Sequence, residues 1–244
     1  MYQVLAEMAG ISCCYALEFE DTIKRLKGFV KPDAEIPNDA PCISVGQSEY
    51  EDWQKIGNTT RNDFAEFSLL GCRTSEYLMD HQRFVFHAVA MRWHDRAWLI
   101  TAPPGIGKTT QYKNLKELHP DEVSIINGDK PIVEIRDDGA FVHPSPWTGK
   151  EGWHDAEGAP LAGIIFLKHG ENVIEPVSPK AMARSAYLSI FQSFDTGEVI
   201  QKSAKLAQQL LKSVPLWQLT NRGDLASSAL IYDVMKKTIE SNGI

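Results

Sequence analysis

The chain has 244 residues, 43% of them hydrophobic and 23% charged, a composition that excludes global disorder. Asp and Glu (32) outnumber Lys and Arg (25), and the formal net charge of -7 argues against a general nucleic-acid binder. The longest apolar run, Leu161–Leu167, is far shorter than the roughly 20 residues of a transmembrane helix, and the N-terminus lacks the pattern of a secretory signal. We therefore expect a cytoplasmic protein that binds neither membrane nor nucleic acid.

The four cysteines are Cys13, Cys14, Cys42 and Cys72. They include no C-x-x-C pair, and no histidine lies at zinc-ligand spacing from them. This usage is typical of reduced, partly buried thiols in a cytosolic protein, and we expect that state for all of them.

The first eighty residues predict an accessory region of mixed α and β structure, packed on a core at 81–244. Alternation of Tyr2, Val4, Ala6 and Met8 indicates a half-buried strand, with a short helix as the alternative. The further elements predicted in this region are strands at 12–18 and 42–45, and helices at 21–30, from Glu49 onward with Ser48 as its cap, and at 60–80.

The core predicts an α/β fold. Residues 84–93 and 96–101 are expected to form a hairpin through the turn His94-Asp95, followed by a helix from Lys108 to about Leu118. Further strands are predicted at 123–127, 131–135, 140–143, 161–167, 172–177 and 216–220, and helical segments at 179–214 and 224–239. The apolar run at 161–167 is typical of a strand buried on both faces, and 172–177 is a candidate partner for it.

The most informative segment is APPGIGKTT (102–110), between a strand and a helix. Its glycines let backbone N–H groups converge on an anion, and the helix N-terminus adds unpaired donors. Lys108 is placed to reach the β- and γ-phosphates of a nucleotide, and the Thr109 hydroxyl to coordinate Mg²⁺. The residues predicted to bind the nucleotide are Gly105, Ile106, Gly107, Lys108, Thr109 and Thr110.

This loop departs from the full G-x-x-x-x-G-K-[ST] pattern, because Ala102 occupies the first glycine position. The alternative is a glycine-rich turn before a lysine-capped helix. The loop alone does not separate a kinase, an ATPase, a GTPase and a nucleotide sensor, although the lack of an N-K-x-D sequence disfavours GTP.

Three further residues are candidates for the site. His87 lies on the strand before the hairpin, and a histidine satisfied within the core is the alternative. Asp129 ends the strand after the loop helix and is a candidate base or metal ligand, whereas Asn127-Gly128-Asp129 is also a good turn sequence. Lys150, in PWTGKEGW (146–153), is a candidate contact for a transferring phosphoryl group; a surface loop pinned by its tryptophans is the alternative.

Taken in order, these segments resemble the HPr kinase/phosphorylase family, and more closely its small HPr kinase-like serine kinases. The segments that resemble the family are His87-Ala88, APPGIGKTT (102–110), Asn127-Gly128-Asp129-Lys130-Pro131, Pro146-Trp147-Thr148-Gly149-Lys150 and LAGIIFL (161–167). The resemblance implies a mixed-sheet P-loop kinase core of the phosphoenolpyruvate-carboxykinase type. It also implies an N-terminal α+β accessory region and a helical C-terminal part.

The resemblance implies that ATP, with Mg²⁺, phosphorylates a serine or threonine hydroxyl of a protein or peptide. Asp129 would be the base and a metal ligand, His87 would orient it, and Lys108 and Thr109 would hold phosphate and metal. Two alternatives stay open: a kinase of a small hydroxylated metabolite, and a degenerate nucleotide-binding regulatory protein without transfer activity.

Two positions depart from the family pattern. Gly128 replaces one acidic residue of an Asp-Asp pair, which favours the regulatory alternative. Pro104 stands where relatives commonly have a small hydroxyl residue, which argues against reverse phosphorylase activity. Nothing in the sequence indicates an oligomeric state.

Overall fold

The described residues form two β-sheets, a small one near the N-terminus and a large mixed one. The computed structural model describes residues 1–32, 34–36, 42–56, 61–193 and 196–242. The strands of the small sheet are β1 (Tyr2–Met8), β2 (Ile11–Leu17) and β3 (Cys42–Ser44). β2 lies in the middle, antiparallel to β1 and parallel to β3.

The large sheet contains parallel and antiparallel strands. Its strands are β4 (Arg83–Val85), β5 (Ala88–Trp93), β6 (Arg96–Thr101), β7 (Val123–Asn127), β8 (Ile132–Arg136), β9 (Gly139–His143), β10 (Ala159–His169), β11 (Val173–Pro176) and β12 (Leu216–Asn221). They follow the order β4-β8-β9-β10-β6-β5-β7, and β12 pairs with both β10 and β11. The start of β10 is antiparallel to β9, and its later part is parallel to β6 and β12.

Helices cover both faces of this sheet. The helices of the chain are α1 (Glu20–Arg25), α2 (Gln47–Ile56), α3 (Asn62–Met79), α4 (Lys108–Leu118), α5 (Pro179–Ser189), α6 (Gly197–Ser213) and α7 (Leu225–Asn242). Among the described residues, none of the helices combines the length and the apolar character that crossing a membrane requires.

The strand β10 confirms the prediction of a strand buried on both faces. Ile164 packs in a cluster with residues of α5 and α6, such as Leu206. The next residue, Ile165, packs in a second cluster with α4 and α7, such as Leu115 and Ile231. Because side chains alternate along a strand, a continuous apolar run is what burial on both faces requires.

Other elements differ from the sequence prediction. The single strand expected at 84–93 is interrupted at Phe86-His87, because β4 pairs with β8 whereas β5 pairs with β6 and β7. The segment 172–177, a candidate partner for 161–167, does not pair with it, because β12 pairs with β10 and β11 pairs with β12. The helix predicted over 21–30 ends at Arg25.

The prediction that 179–214 is mostly helical is confirmed. The segment forms α5 and α6, and between them Ile190 makes an isolated bridge with Phe86. The start predicted for α3, at residue 60, lies outside the described residues.

The N-terminal region shares a hydrophobic cluster with the large sheet. Leu17 of β2 and Leu70 of α3 pack in the same cluster as Val85 and Trp147. The Trp147 indole Nε1 donates to the Phe67 carbonyl at 2.8 Å. This contact fixes α3 against the loop that follows β9, while the division of the chain at residue 80 stays a prediction.

Cys14 and Cys42 form a disulfide between β2 and β3, with their Cα atoms 4.5 Å apart. The expectation of reduced thiols is therefore wrong for this pair, because the parallel pairing of β2 and β3 places the two residues opposite each other. Cys13 and Cys72 lie outside this disulfide, and both are buried. Burial raises the pKa of the Cys13 thiol to about 11.

We expect Cys14→Ser to lower the free energy of unfolding in non-reducing buffer. The cross-link spans 28 residues, and closing a loop of that size in the unfolded chain is worth about 3–4 kcal/mol in the chain-entropy model. Urea unfolding followed by circular dichroism measures the loss, and adding a reductant should bring the wild type down to the level of the variant. Equal stability of both proteins without reductant would contradict the disulfide.

Candidate functional site

The loop between β6 and α4 contains two glycines with a left-handed backbone conformation. Gly105 and Gly107 have φ values of +82° and +104°, in the left-handed region that favours glycine. Gly107 is the N-cap of α4 and contributes no side-chain acceptor to the first turn of the helix. The backbone donors of that turn are therefore not satisfied by a capping side chain, which suits an anion.

Lys108 begins α4 and is folded back over this loop. Its side chain is buried, and its Nζ donates to the Ala102 carbonyl at 3.1 Å. Burial lowers the pKa of Lys108, the Asp129 carboxylate opposes this change, and the Lys130 ammonium adds to it. The loop lysine thus lies within electrostatic range of the charged residues that follow β7.

Asn127 determines the course of the chain around Asp129. Its side chain is fully buried, and its Oδ1 accepts hydrogen bonds from the N–H groups of Asp129 at 3.0 Å and Lys130 at 2.8 Å. Its Nδ2 donates to the Ser145 carbonyl at 3.0 Å. The Asp129 carbonyl accepts from the Ala88 N–H at 2.9 Å, which ties the same turn to β5.

The carboxylate of Asp129 lies between a histidine and a lysine. Its Oδ1 is 3.3 Å from His87 Nε2, and its Oδ2 contacts the Lys130 ammonium. Burial alone would raise the pKa of Asp129, but the hydrogen bond with His87 and the charge of Lys130 lower it to about 2. Asp129 is therefore ionised at neutral pH.

His87 occupies the break between β4 and β5. Its N–H donates to the Ser189 carbonyl at 2.7 Å, and its carbonyl accepts from Thr101 Oγ1 at 2.9 Å. The backbone is fixed on both sides, so the half-buried ring is held against Asp129. The role of His87 in orienting that carboxylate stays a prediction.

A cleft with a volume of about 580 Å³ lies beside Asp129. Lys130, Trp147 and Lys150 line it from the core. A Cβ on Gly149 would lie 3.0 Å from the Cβ of Asp129, so the loop that contains Lys150 rests directly on the carboxylate-bearing residue. The structure thus brings Lys150 and Asp129 to the same cleft.

Gly128 is required by the close approach of this same loop. A Cβ at position 128 would lie 2.9 Å from the Thr148 carbonyl oxygen, and the Gly128 N–H donates to the Trp153 carbonyl at 2.9 Å. An acidic side chain therefore has no room at position 128 with the loop in this place. Asp129 is the residue of the turn that retains a carboxylate.

The donor atoms suit magnesium only in combination with phosphate. Within the described ranges, no group of at least three His, Cys, Asp or Glu residues is arranged to hold a metal. Mg²⁺ commonly uses one or two carboxylates together with substrate phosphates and water. One carboxylate, Asp129, and one hydroxyl, Thr109, fit that mode, although no described contact joins Asp129 to Thr109 or Thr110.

Several residues at the site carried no clear sequence signal. Lys130 follows Asp129 in the segment 127–131. The only sequence feature that could have indicated a role for Lys130 is its place beside an acidic residue in a polar turn. The cleft is also lined by Arg25, Phe64 and Phe67 of the N-terminal region. No spacing rule connects these residues to Asp129, because their proximity arises from the packing of α1 and α3.

No protein-family model matches this chain, and no curated protein matches it at a significant level. Among solved structures, the chain is similar to the Hpr(Ser) kinase/phosphatase from Coxiella burnetii, with a TM-score of 0.39 and 9% sequence identity. The likeness covers 65% of this chain and 93% of that chain. A likeness this weak does not establish a family for the chain, so the family resemblance stays an interpretation of the sequence motifs.

We expect Gly128→Ala to lower the free energy of unfolding by about 1–3 kcal/mol, because its Cβ would press on the backbone of the 148–153 loop. Gly197→Ala is the matched control, since a Cβ there meets no atom within 4 Å. Urea unfolding of both variants measures the difference. A Gly128→Ala protein as stable as the control would show that the loop does not rest on this residue.

Proposed function

We propose that this protein transfers the γ-phosphoryl group of ATP to a hydroxyl group. The observation that carries the proposal is the Asp129 carboxylate, kept ionised between His87 and Lys130 and within electrostatic range of the loop lysine Lys108. A phosphate-binding turn, converging cations and a carboxylate for the acceptor hydroxyl are the parts that phosphoryl transfer requires.

The cations would act on the charge of the phosphoryl group. Lys108 interacts electrostatically with Asp129, and Lys130 and Lys150 line the cleft beside it. Positively charged groups held in a partly buried site stabilise charge that develops on phosphoryl oxygens, and this is a main source of the rate in such reactions. A phosphate placed between them would also compete with Asp129 for the Lys130 ammonium.

Asp129 would accept a hydrogen bond from the acceptor hydroxyl and aim its oxygen at phosphorus. The bond from that oxygen to the γ-phosphorus forms, the bond to the bridging oxygen of ADP breaks, and the hydroxyl proton passes to Asp129. A carboxylate with a pKa of about 2 is a weak base. It suits a loose transition state, in which the acceptor loses its proton late. His87 would be a positioning residue.

Magnesium bound to Thr109 Oγ1 and the Asp129 carboxylate would neutralise part of the phosphate charge. The proposed acceptor is a serine or threonine of a protein or peptide. A small hydroxylated metabolite is the alternative acceptor. The absence of an acidic residue at position 128 favours a third possibility, a regulatory protein that binds nucleotide without transfer.

The test is transfer of label from γ-labelled Mg·ATP into an extract of the source cells. We expect Asp129→Asn to reduce labelling at least tenfold and to retain ATP binding, since general-base groups contribute about 10²–10⁴-fold to the rate. Asp95→Asn is the matched control, because the Asp95 side chain is 85% exposed in a hairpin turn.

The fraction that carries the label distinguishes the acceptors. Mutant-sensitive label in macromolecules supports a protein or peptide kinase, and label confined to small molecules supports a metabolite kinase. If no fraction shows label that depends on Asp129 while ATP binding is intact, the transfer proposal fails and the regulatory protein takes its place.

We expect Lys108→Ala to weaken binding of Mg·ATP by at least about tenfold, because a buried ammonium that faces phosphate is lost. Isothermal titration calorimetry at fixed Mg²⁺ measures the dissociation constant. Lys236→Ala, on the exposed side of α7, is the matched control. Unchanged affinity in Lys108→Ala would exclude the loop as the phosphate site.

We expect Asp129 to stay ionised through the neutral range, so that transfer does not fall between about pH 8 and pH 5 through its protonation. Its pKa is lowered on folding, so it stabilises the fold above the unfolded-state value of about 3.9, and this contribution is lost as the pH falls toward about 2. Lys130→Met removes a cation and should raise the pKa of Asp129, as followed by carboxyl-carbon NMR. An unshifted titration would contradict the Lys130 contact.

A further inference from the structure

The N-terminal region forms one wall of the cleft beside Asp129. Phe64 and Phe67 lie in the first two turns of α3, and Arg25 is the last residue of α1. Phe64 is 42% exposed, whereas Phe67 is buried and packs on Trp147 with ring centroids 5.9 Å apart. The wall is therefore apolar and accessible, and it is held in place by a core residue.

Arg25 adds a charge to this wall that is only weakly neutralised. Its guanidinium carbon lies 5.7 Å from the ring centroids of Phe64 and Phe67. Its Nε is buried without a hydrogen-bond partner in the described structure, and its contact with the Asp63 carboxylate is long, at 3.5 Å. That carboxylate already accepts hydrogen bonds from Arg61 at 2.7 and 3.1 Å.

The opposite wall has two lysines, of which Lys130 is paired with the Asp129 carboxylate. Lys130 lies with its Nζ 5.1 Å from the centre of the Phe191 ring, and Lys150 is exposed at the cleft. The nearby Glu151 carboxylate is directed toward Lys113, at 3.0 Å. In a chain with a net charge of -7, such a cleft favours an acceptor that has negative charge.

The size of the cleft exceeds what one small alcohol requires. Its volume of about 580 Å³ lies within the range of about 300–1,000 Å³ of pockets that hold drug-sized ligands. The space between Asp129 and Arg25 therefore admits a hydroxyl side chain together with neighbouring groups.

We propose that the cleft between Asp129 and the N-terminal region binds a polypeptide acceptor. Its serine or threonine hydroxyl would face Asp129, a neighbouring apolar side chain would pack on the exposed ring of Phe64, and a nearby carboxylate would pair with Arg25. This inference rests on the proposed kinase function and deepens it. It gives the N-terminal region the role of selecting acidic, partly apolar segments.

Two short synthetic peptides test the proposal. Both have a central serine flanked by leucine. The outer residues are glutamate in one peptide and lysine in the other. The readout is kcat/KM for label transfer from Mg·ATP. We expect the wild type to prefer the glutamate peptide by about tenfold or more, mainly through KM. Arg25→Gln should abolish the preference, and Arg25→Glu should reverse it. Phe64→Ala should lower kcat/KM for both peptides alike.

Matched measurements separate this inference from the kinase proposal. Arg184→Glu, at an exposed position of α5, is the charge-change control, and the affinity for Mg·ATP should be unchanged in the Arg25 variants. If the wild type transfers label to acceptors of the extract but uses neither peptide, or uses both equally, the acceptor inference is overturned and the kinase proposal stands. Label confined to small molecules in the extract also overturns it. If the wild type binds ATP and labels nothing, the kinase proposal itself fails.

Discussion

The candidate site depends on the hydrogen bonds of the buried Asn127 side chain. Its Oδ1 accepts the N–H groups of Asp129 and Lys130, and its Nδ2 donates to Ser145, so it joins the turn after β7 to the loop after β9. A fully buried amide without these partners would be costly, because unpaired polar groups are penalised inside a protein. The same bonds that satisfy Asn127 therefore fix where the Asp129 carboxylate stands.

The Asp129 carboxylate has a different environment on each of two sides. Toward α4, Asp129 interacts with Lys108 at the glycine-containing turn, and toward the N-terminal region it borders the cleft. The hydrogen bond from Trp147 to the Phe67 carbonyl connects the core side of the cleft to α3, which forms the opposite wall. A shift of α3 would thus move the wall relative to the carboxylate, which links the packing of the N-terminal region to the proposed chemistry.

Local patterns in the sequence were sufficient for much of the core. The apolar run in β10, the hairpin of β5 and β6 and the turn before Lys108 are each encoded within a few neighbouring residues. The failures concern pairing over long distances. The insertion of β12 between β10 and β11 depends on which strand edges are free in three dimensions, which periodicity does not contain.

The residues of the candidate site also differ in whether a local sequence pattern indicates them. Asp129 and Lys108 lie in motifs with a recognisable chemistry, so the sequence alone makes them candidates. Arg25 and Phe64 have no motif, because only the packing of α1 and α3 brings them to the cleft. The disulfide of Cys14 and Cys42 was missed for the same reason, since it follows from the pairing of β2 with β3.

The central claim is that the turn before α4 and the Asp129 carboxylate belong to one nucleotide site. A crystal structure of the protein with Mg²⁺ and a non-hydrolysable ATP analogue tests it directly, through the position of the γ-phosphate. We expect that phosphate between the ammonium of Lys108 and the carboxylate of Asp129, with the cleft open beyond it. A γ-phosphate directed away from Asp129, or a nucleotide bound elsewhere on the chain, would contradict the account.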